Sequence, residues 1–240
     1  MSHVQNTQPQ GQAPGVSEGT LPAEGVRSMF DRIAPVYDAM NRLMTAGLDR
    51  RWRRATVDAV VRRGDRVLDA CCGTGDLAIA AAETGGDVTG IDFSRPMLER
   101  ARRKAPELQW LEGDALALPL ADGSFDAATV GFGVRNLADL EGGLRELRRV
   151  LRPGGRVAIL EITRPQGLLA PFYRFWFDGV IPVAGKVLPG GAAYSYLPAS
   201  VRRFPDPHGL AKLMDEAGFG DIRWRLFAGG IVALHTGVAE

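Results

Sequence analysis

The chain has 240 residues, 45% of them hydrophobic and 24% charged, which is an ordinary composition for one large soluble domain. Its net charge of +1 gives no general case for a nucleic-acid partner. No uncharged apolar run reaches about 18 residues, so no membrane span is expected; the N-terminus lacks the apolar stretch of a signal peptide, and the adjacent Cys71 and Cys72 cannot frame disulfides, which fits a reduced, cytoplasmic setting.

Residues 1–25 are rich in Gln, Gly, Pro, Ser and Thr with few large apolar side chains, and read as a disordered tail ahead of a single domain over 26–240. From Val26 the spacing turns helical: Met29, Phe30 and Ile33, then Val36, Tyr37, Met40, Leu43 and Met44, with Pro35 splitting the run in two. A third helix is expected from about Asp49, with Trp52, Ala55, Ala59 and Val60 on one side. Residues 26–63 thus read as a helical cap. Between Val26 and Arg66 ten arginines face five aspartates, a local excess of positive charge that reads either as solvated helix faces or as attraction to anionic lipid headgroups.

The stretch on which the rest is organised follows. Val67-Leu68-Asp69-Ala70-Cys71-Cys72-Gly73-Thr74-Gly75-Asp76 begins apolar, turns on two glycines and runs into the alanine-rich segment Leu77 to Ala82: strand, tight loop, helix. Glycine lets a ligand approach backbone and allows positive φ, and the first amides of the following helix have no intrahelical partner. A dinucleotide loop reads G-x-G-x-x-G; here its third-glycine position is Ala78, a permitted variant, so the glycines alone do not decide. A P-loop would need G-x-x-x-x-G-K-[ST], which is absent. Asp69, four residues before Gly73, discriminates: a carboxylate there repels a pyrophosphate and suits a sulfonium or ammonium group.

Val88 to Ile91 reads as a second strand ending at Asp92, which lies about 20 residues beyond the loop, where an acid commonly accepts ribose hydroxyls. Ser94 and Pro96 open a helix carrying Met97, Leu98 and Ala101. Gln109 to Leu111 is a short third strand before Gly113-Asp114-Ala115, and Phe125 to Val130 a fourth before Gly131-Phe132-Gly133. A helix from about Ala138 shows the stripe Leu140, Leu144, Leu147, Leu151, stopped by Pro153-Gly154-Gly155 ahead of a fifth strand, Val157 to Ile162. Alternating strands and helices imply a parallel sheet with its ligand beyond the strand carboxyl ends, where Asp69, Asp92, Asp114, Gly131 and Glu161 all fall. The segment 167–200 is an apolar insertion whose Leu168, Phe172, Phe175, Trp176 and Phe177 read as a buried helix, a wall for a lipidic substrate or a membrane-facing patch. Asp206-Pro207 open a helix closed by Gly218, and Asp221 to Phe227 and Ile231 to Thr236 suggest a hairpin across Ala228-Gly229-Gly230. His3, His208 and His235 are scattered and no metal-ligand spacing exists, so no metal is expected.

Taken together, Phe30-Asp31-Arg32-Ile33-Ala34 with Tyr37-Asp38 and Met40-Asn41, the loop through Asp76, Gly113-Asp114-Ala115, Phe132-Gly133-Val134-Arg135-Asn136 and Leu151-Arg152-Pro153-Gly154-Gly155 resemble the ubiquinone/menaquinone biosynthesis C-methyltransferases, most closely their demethylmenaquinone branch. The Tyr-Asp…Met-Asn and Phe-Gly-x-Arg-Asn segments carry the family; the rest is shared by many S-adenosyl-L-methionine (SAM) enzymes. The resemblance implies an α/β fold of the class I SAM-dependent methyltransferase type: a Rossmann-like, seven-stranded, mostly parallel sheet with helices on both faces and the last strand antiparallel. It implies SAM as methyl donor, with Asp69 among the cofactor-binding residues, Gly73, Thr74 and Gly75 at the methionine end, Asp92 at the ribose, and Asp114 and Ala115 at the adenine. It implies a polyprenyl demethylnaphthoquinol as acceptor, Arg135, Asn136 and Tyr37 on the substrate side, and peripheral contact at the inner face of the cytoplasmic membrane. Where the family usually carries serine this chain has Gly131, and Cys71-Cys72 read as small packing residues. The residues leave open a methyltransferase acting on a demethylated ubiquinol precursor or another lipidic phenol, a nicotinamide-dependent oxidoreductase, a non-catalytic SAM-binding protein, and the formation of a homo-oligomer.

Overall fold

The computed structural model describes residues 22–164 and 191–240, with side chains from 196 onward in the second segment. Its core is one seven-stranded sheet of order β3-β2-β1-β4-β5-β7-β6. The strands are β1 Arg66–Ala70, β2 Asp87–Asp92, β3 Gln109–Glu112, β4 Phe125–Gly131, β5 Leu151–Ile162, β6 Phe219–Phe227 and β7 Val232–Ala239. β1 pairs parallel with β2 and β4, β2 with β3, and β4 with β5. β7 runs antiparallel to both β5 and β6, as expected.

The alternation of strand side chains sends successive residues to opposite faces. Val67, Ala127 and Ala158 pack on one face with Trp52 and Val57 of α3 (Asp49–Val60), Leu77 and Ala81 of α4 (Asp76–Glu83), and Leu98 and Ala101 of α5 (Arg95–Lys104). Their neighbours Leu68, Ala128 and Ile159 pack on the other face with Leu144 and Leu147 of α6 (Leu140–Val150) and with Leu210 and Met214 of α8 (Pro207–Glu216). Two further helices precede α3 in the chain, α1 Ala23–Ile33 and α2 Tyr37–Met44, separated by the turn at Pro35.

Four expectations need correction. Helix α1 begins at Ala23, inside the stretch read as tail. In α3 the buried face is Trp52, Thr56, Val57 and Val60, whereas Ala59 is exposed, because the helix packs by Trp52 and Val57 onto the sheet. Helix α6 ends at Val150, not at the Pro-Gly-Gly segment. Leu151 already pairs with Phe125, and the next residue of β5 to pair with β4 is Arg156, so Pro153-Gly154-Gly155 sit in a bulged-out start of β5. Finally, the chain forms a helix, α7 Gly191–Arg203, across the boundary at which the apolar insertion was expected to end. Pro198 lies inside that helix, which masked its pattern; its Leu197 and Val201 pack against Met40, Met44 and Ile162. The aromatic run from Leu168 to Phe177 lies outside the described residues.

Candidate active site

The glycine loop works through two different demands. Gly73 (φ +56) opens onto a cavity, where an added Cβ would meet only Tyr37, at 3.9 Å. Gly75 (φ +86) is needed for another reason: a Cβ there would stand 2.5 Å from the Trp110 ring, whose Nε1 is fixed by donating to the Ala105 carbonyl at 2.8 Å. The first glycine thus gives a ligand access to backbone, and the second lets β3 pack under the loop.

The cavity beside Gly73 is lined by Tyr37, Asp92, Asp114, Ala115 and Asn136 together with apolar Phe30, Ile91, Phe93, Met97, Leu116 and Phe132. Asp92 ends β2, buried, and its two oxygens accept the Gly73 and Ser94 amides, each at 2.8 Å. A carboxylate has further lone pairs and can still accept ligand hydroxyls. Burial pushes the Asp92 carboxyl up to about 6, against the pull of those two amides. Asp114 anchors its own turn by accepting the Leu116 amide at 2.9 Å.

Three residues expected at the ligand do not line this cavity. Asp69 is wholly buried beneath the loop, where Oδ1 accepts the Thr129 hydroxyl at 2.8 Å. Burial pushes its carboxyl up to about 7, opposed by Thr129, by the Arg53 charge and by the Ala78 amide at the start of α4. Thr74 is turned away and buried; its hydroxyl donates to Asp38 at 2.5 Å and accepts from Lys104 at 3.0 Å. Gly75 faces Trp110. Of the five strand-end residues expected to form one cleft, Asp92, Asp114 and Gly131 line it, while Asp69 and Glu161 lie behind it.

The cap is clamped to the loop by contacts no single motif announces. Lys104 Nζ lies 2.6 Å from Asp76 and 2.7 Å from Asp38. Burial works against the charge of Asp38, yet its bonds from Lys104 and Thr74 prevail and hold the carboxyl below its ordinary value. The Ser94 hydroxyl, which caps α5, donates to Asp31 of α1 at 2.5 Å. Asp31 and Asp38 fall inside the resembling segments, but nothing in their spacing points to Ser94 or Lys104.

A second cavity adjoins the first and shares Phe30, Tyr37 and Phe132 with it. Its walls are largely apolar: Met29, Ile33, Met40, Met44, Ile162 and Leu197, with Asn41, Asp49, Arg53 and Arg135 among the polar side chains. Arg135 and Asn136 stand on one short 3-10 turn, Val134–Asn136, and divide between the two cavities, Arg135 lining the second and Asn136 the first. The Arg135 guanidinium donates to Glu161 at 2.7 Å and to the Phe132 carbonyl at 2.6 Å. Burial disfavours its charge, but Glu161 overcomes this and keeps the guanidinium protonated. Arg135 Nε and Asn136 Oδ1 are buried and have no hydrogen-bond partner among the described residues.

The donor set suits SAM. A buried carboxylate at the end of β2 can accept hydroxyls, the Gly73 backbone borders the same cavity, and apolar side chains line it beside Asp114. The acidic surroundings favour a cationic sulfonium. Burial, with Asp92 and Asp69 adding to it, pushes the Cys71 and Cys72 thiols far up, so both are neutral; Cys72 is buried and Cys71 lines the first cavity. Among the described residues no group of three His, Cys, Asp or Glu side chains is arranged to hold a metal ion, and no helix is long and apolar enough to cross a membrane.

Comparison with known proteins follows the same lines. Residues 19–239 match the ubiE/COQ5 methyltransferase family. The chain is 48% identical over 218 residues to a demethylmenaquinone methyltransferase of Thermus thermophilus, covering 87% of this chain and 99% of that one. It is 43% identical over 224 residues to a ubiquinone/menaquinone biosynthesis C-methyltransferase of Syntrophotalea carbinolica, covering 90% and 94%. Among solved structures, a SAM-dependent methyltransferase of Thermotoga maritima superposes with a TM-score of 0.67 at 21% identity, covering 89% of this chain and 99% of that one. At that identity the likeness concerns the fold.

Proposed function

This chain belongs to the ubiE/COQ5 methyltransferase family, and we propose that it transfers a methyl group from SAM to a ring carbon of demethylmenaquinol, giving menaquinol. The carrying observation is the pair of adjoining cavities: one has carboxylates and an open glycine edge, the other is apolar, and they meet at Tyr37 and Phe132. A polar, cationic donor and an apolar aromatic acceptor would there face each other. The names of the relatives favour the naphthoquinol over a demethylated ubiquinol precursor.

SAM supplies an already electrophilic methyl. The task left to the protein is to hold the acceptor carbon in line with it and to make that carbon nucleophilic. Positioning of this kind can supply roughly 7–11 kcal/mol of a barrier. In this reading Gly73 contacts the methionine end, with Asp69, Thr74 and Gly75 supporting the loop from behind, Asp92 accepts the ribose hydroxyls, and Asp114 and Ala115 flank the adenine. Tyr37 closes over the ring, while Arg135 Nε and Asn136 Oδ1 fix the acceptor or a water at the border of the cavities. The methionines of α1 and α2 adapt to the ring and the start of its tail.

The isoprenoid tail must stay in apolar surroundings, since each exposed CH₂ costs about 0.8 kcal/mol. We propose that the α2–α3 corner meets the inner face of the membrane there. Leu43 is 70% exposed, Leu48 also projects, and Arg42, Arg50 and Arg51, close to them in the chain, are exposed too, while Met44 and Thr45 line the second cavity. Flotation with vesicles containing anionic lipid should carry the protein upward, and failure with and without that lipid would remove this contact.

The test of the reaction is a methyl-transfer assay with labelled SAM and detergent-dispersed demethylmenaquinol under reducing conditions, with a demethylated benzoquinol alongside. Label in menaquinol is expected. Label in neither quinol, with SAM binding intact by calorimetry, would refute this acceptor while leaving the donor site standing.

A further inference from the structure

Methylation at a quinol ring carbon requires that the neighbouring phenol lose its proton, and the acceptor cavity offers few groups able to take one. Arg135 is held protonated by Glu161. Glu161 does not line the cavity; its oxygens already accept Arg135 and the Ile162 amide. Burial pushes the Tyr196 phenol up, away from any role as a base. That leaves Asp49, the sole carboxylate among the described residues lining this cavity.

We propose that Asp49 is the general base that takes the phenolic proton of the acceptor, a proposal that rests on the acceptor reading above. Asp49 opens α3 and is 6% exposed. Its Oδ1 accepts the Thr45 hydroxyl at 2.9 Å, and its Oδ2 lies 3.5 Å from Arg53 Nε, beyond a strong hydrogen bond. One neighbour therefore aims the carboxylate and the other sets a positive charge beside it, with lone pairs to spare.

Its position also provides a way out for the proton. Asp49 and Arg53 also line a second groove, together with Asp38 and Arg42 of α2 and Asp76 of α4. Asp49 thus stands between a largely apolar chamber and a more polar, charged groove. In the forward reaction the phenolic O–H breaks and its proton passes to an Asp49 oxygen, while the O–H electron pair feeds into the ring. The ring carbon beside that oxygen then bonds the methyl carbon, and the old carbon–sulfur bond leaves its pair on sulfur. A water takes the hydrogen of that ring carbon as a proton and returns a proton to the oxygen, restoring the aromatic quinol. One proton is released overall, through Asp49 to the groove. The guanidinium of Arg53, 6.0 Å from the Phe132 ring centre, lies where it favours the transient phenolate.

The test is chemical rescue in the full-length protein with demethylmenaquinol. Asp49→Ala should bind SAM as the wild type does, by calorimetry, and lose turnover by about 10²–10⁴-fold. Added formate, a carboxylate small enough for the vacated space, should restore it at least about tenfold. Asp49→Asn keeps the shape and its contact with Thr45, so it guards against a folding defect; it should be equally slow and gain nothing from formate. Wild-type turnover in Asp49→Asn, or an Asp49→Ala protein that binds SAM but is not rescued, overturns the assignment. Failure of the acceptor reading is distinct, because the unsubstituted protein would then be inactive on the quinol.

Discussion

Replacing Asp69 with Asn tests whether the motif carboxylate serves the ligand or the loop. In the folded chain burial lifts this carboxyl from 3.8 to about 7. Between those values the native state holds a proton that the unfolded chain has released. Stability must therefore fall as pH rises through the window, by about 1.4 kcal/mol per unit. Over the full interval of roughly three units the cost is about 4 kcal/mol, complete once pH passes the native value. Asparagine keeps the shape and a partner for Thr129 but cannot ionise. In denaturant titrations without SAM, the stability of D69N minus that of wild type should therefore grow by about 4 kcal/mol from about pH 4 to about pH 8. Because Asp69 lies beneath the loop and not on the cavity, SAM affinity should change less than for substitution of Asp92. A pH-independent difference, or one of opposite sign, would refute the reasoning: the Arg53 charge and the start of α4 would then stabilise the ion more than burial penalises it.

Gly75→Ala should cost more than the about 1–2 kcal/mol of a left-handed residue bearing a Cβ, since the new methyl also meets Trp110 at 2.5 Å; a thermal melt reads this, and an unchanged Tm would contradict the packing. Lys104→Met releases Asp38, Thr74 and Asp76 together and should weaken SAM binding on the order of tenfold, about 1.4 kcal/mol, with the fold kept by circular dichroism. Arg135→Ala strands the buried Glu161 and should destabilise the chain by about 3–5 kcal/mol. The double change Arg135→Met with Glu161→Gln should recover most of that stability in denaturant titration but not turnover, whereas recovered turnover would reduce Arg135 to a structural partner.

Local chemistry made much of this protein legible in its sequence. The 3.6-residue and two-residue periodicities placed the helices and strands, the two glycines placed the loop, and Asp92 followed at the distance a parallel sheet sets. Where strict local cues failed, longer-range contacts had taken over. Leu151 left its helical stripe because Phe125 offered it a strand partner. The helix over Gly191–Arg203 runs through a proline, held by contacts of Leu197 and Val201 with α2.

The sequence by itself determined the residue types at the site and the alternation that builds the sheet, because both depend on neighbours a few positions apart. Only the tertiary structure decided which residues meet the ligand and which stand behind it. Asp69 and Asp92 look alike at the ends of adjacent strands, yet one is covered by the loop and Thr129 and the other faces the cavity. Gly73 and Gly75 differ only in that Trp110, 35 residues on from the second, claims its missing side chain's space. Lys104 and Asp38, and Asp49 with its two chambers, acquire their roles from packing between segments distant in the chain. Such contacts depend on the distances and burial that only the closed sheet and its cap create.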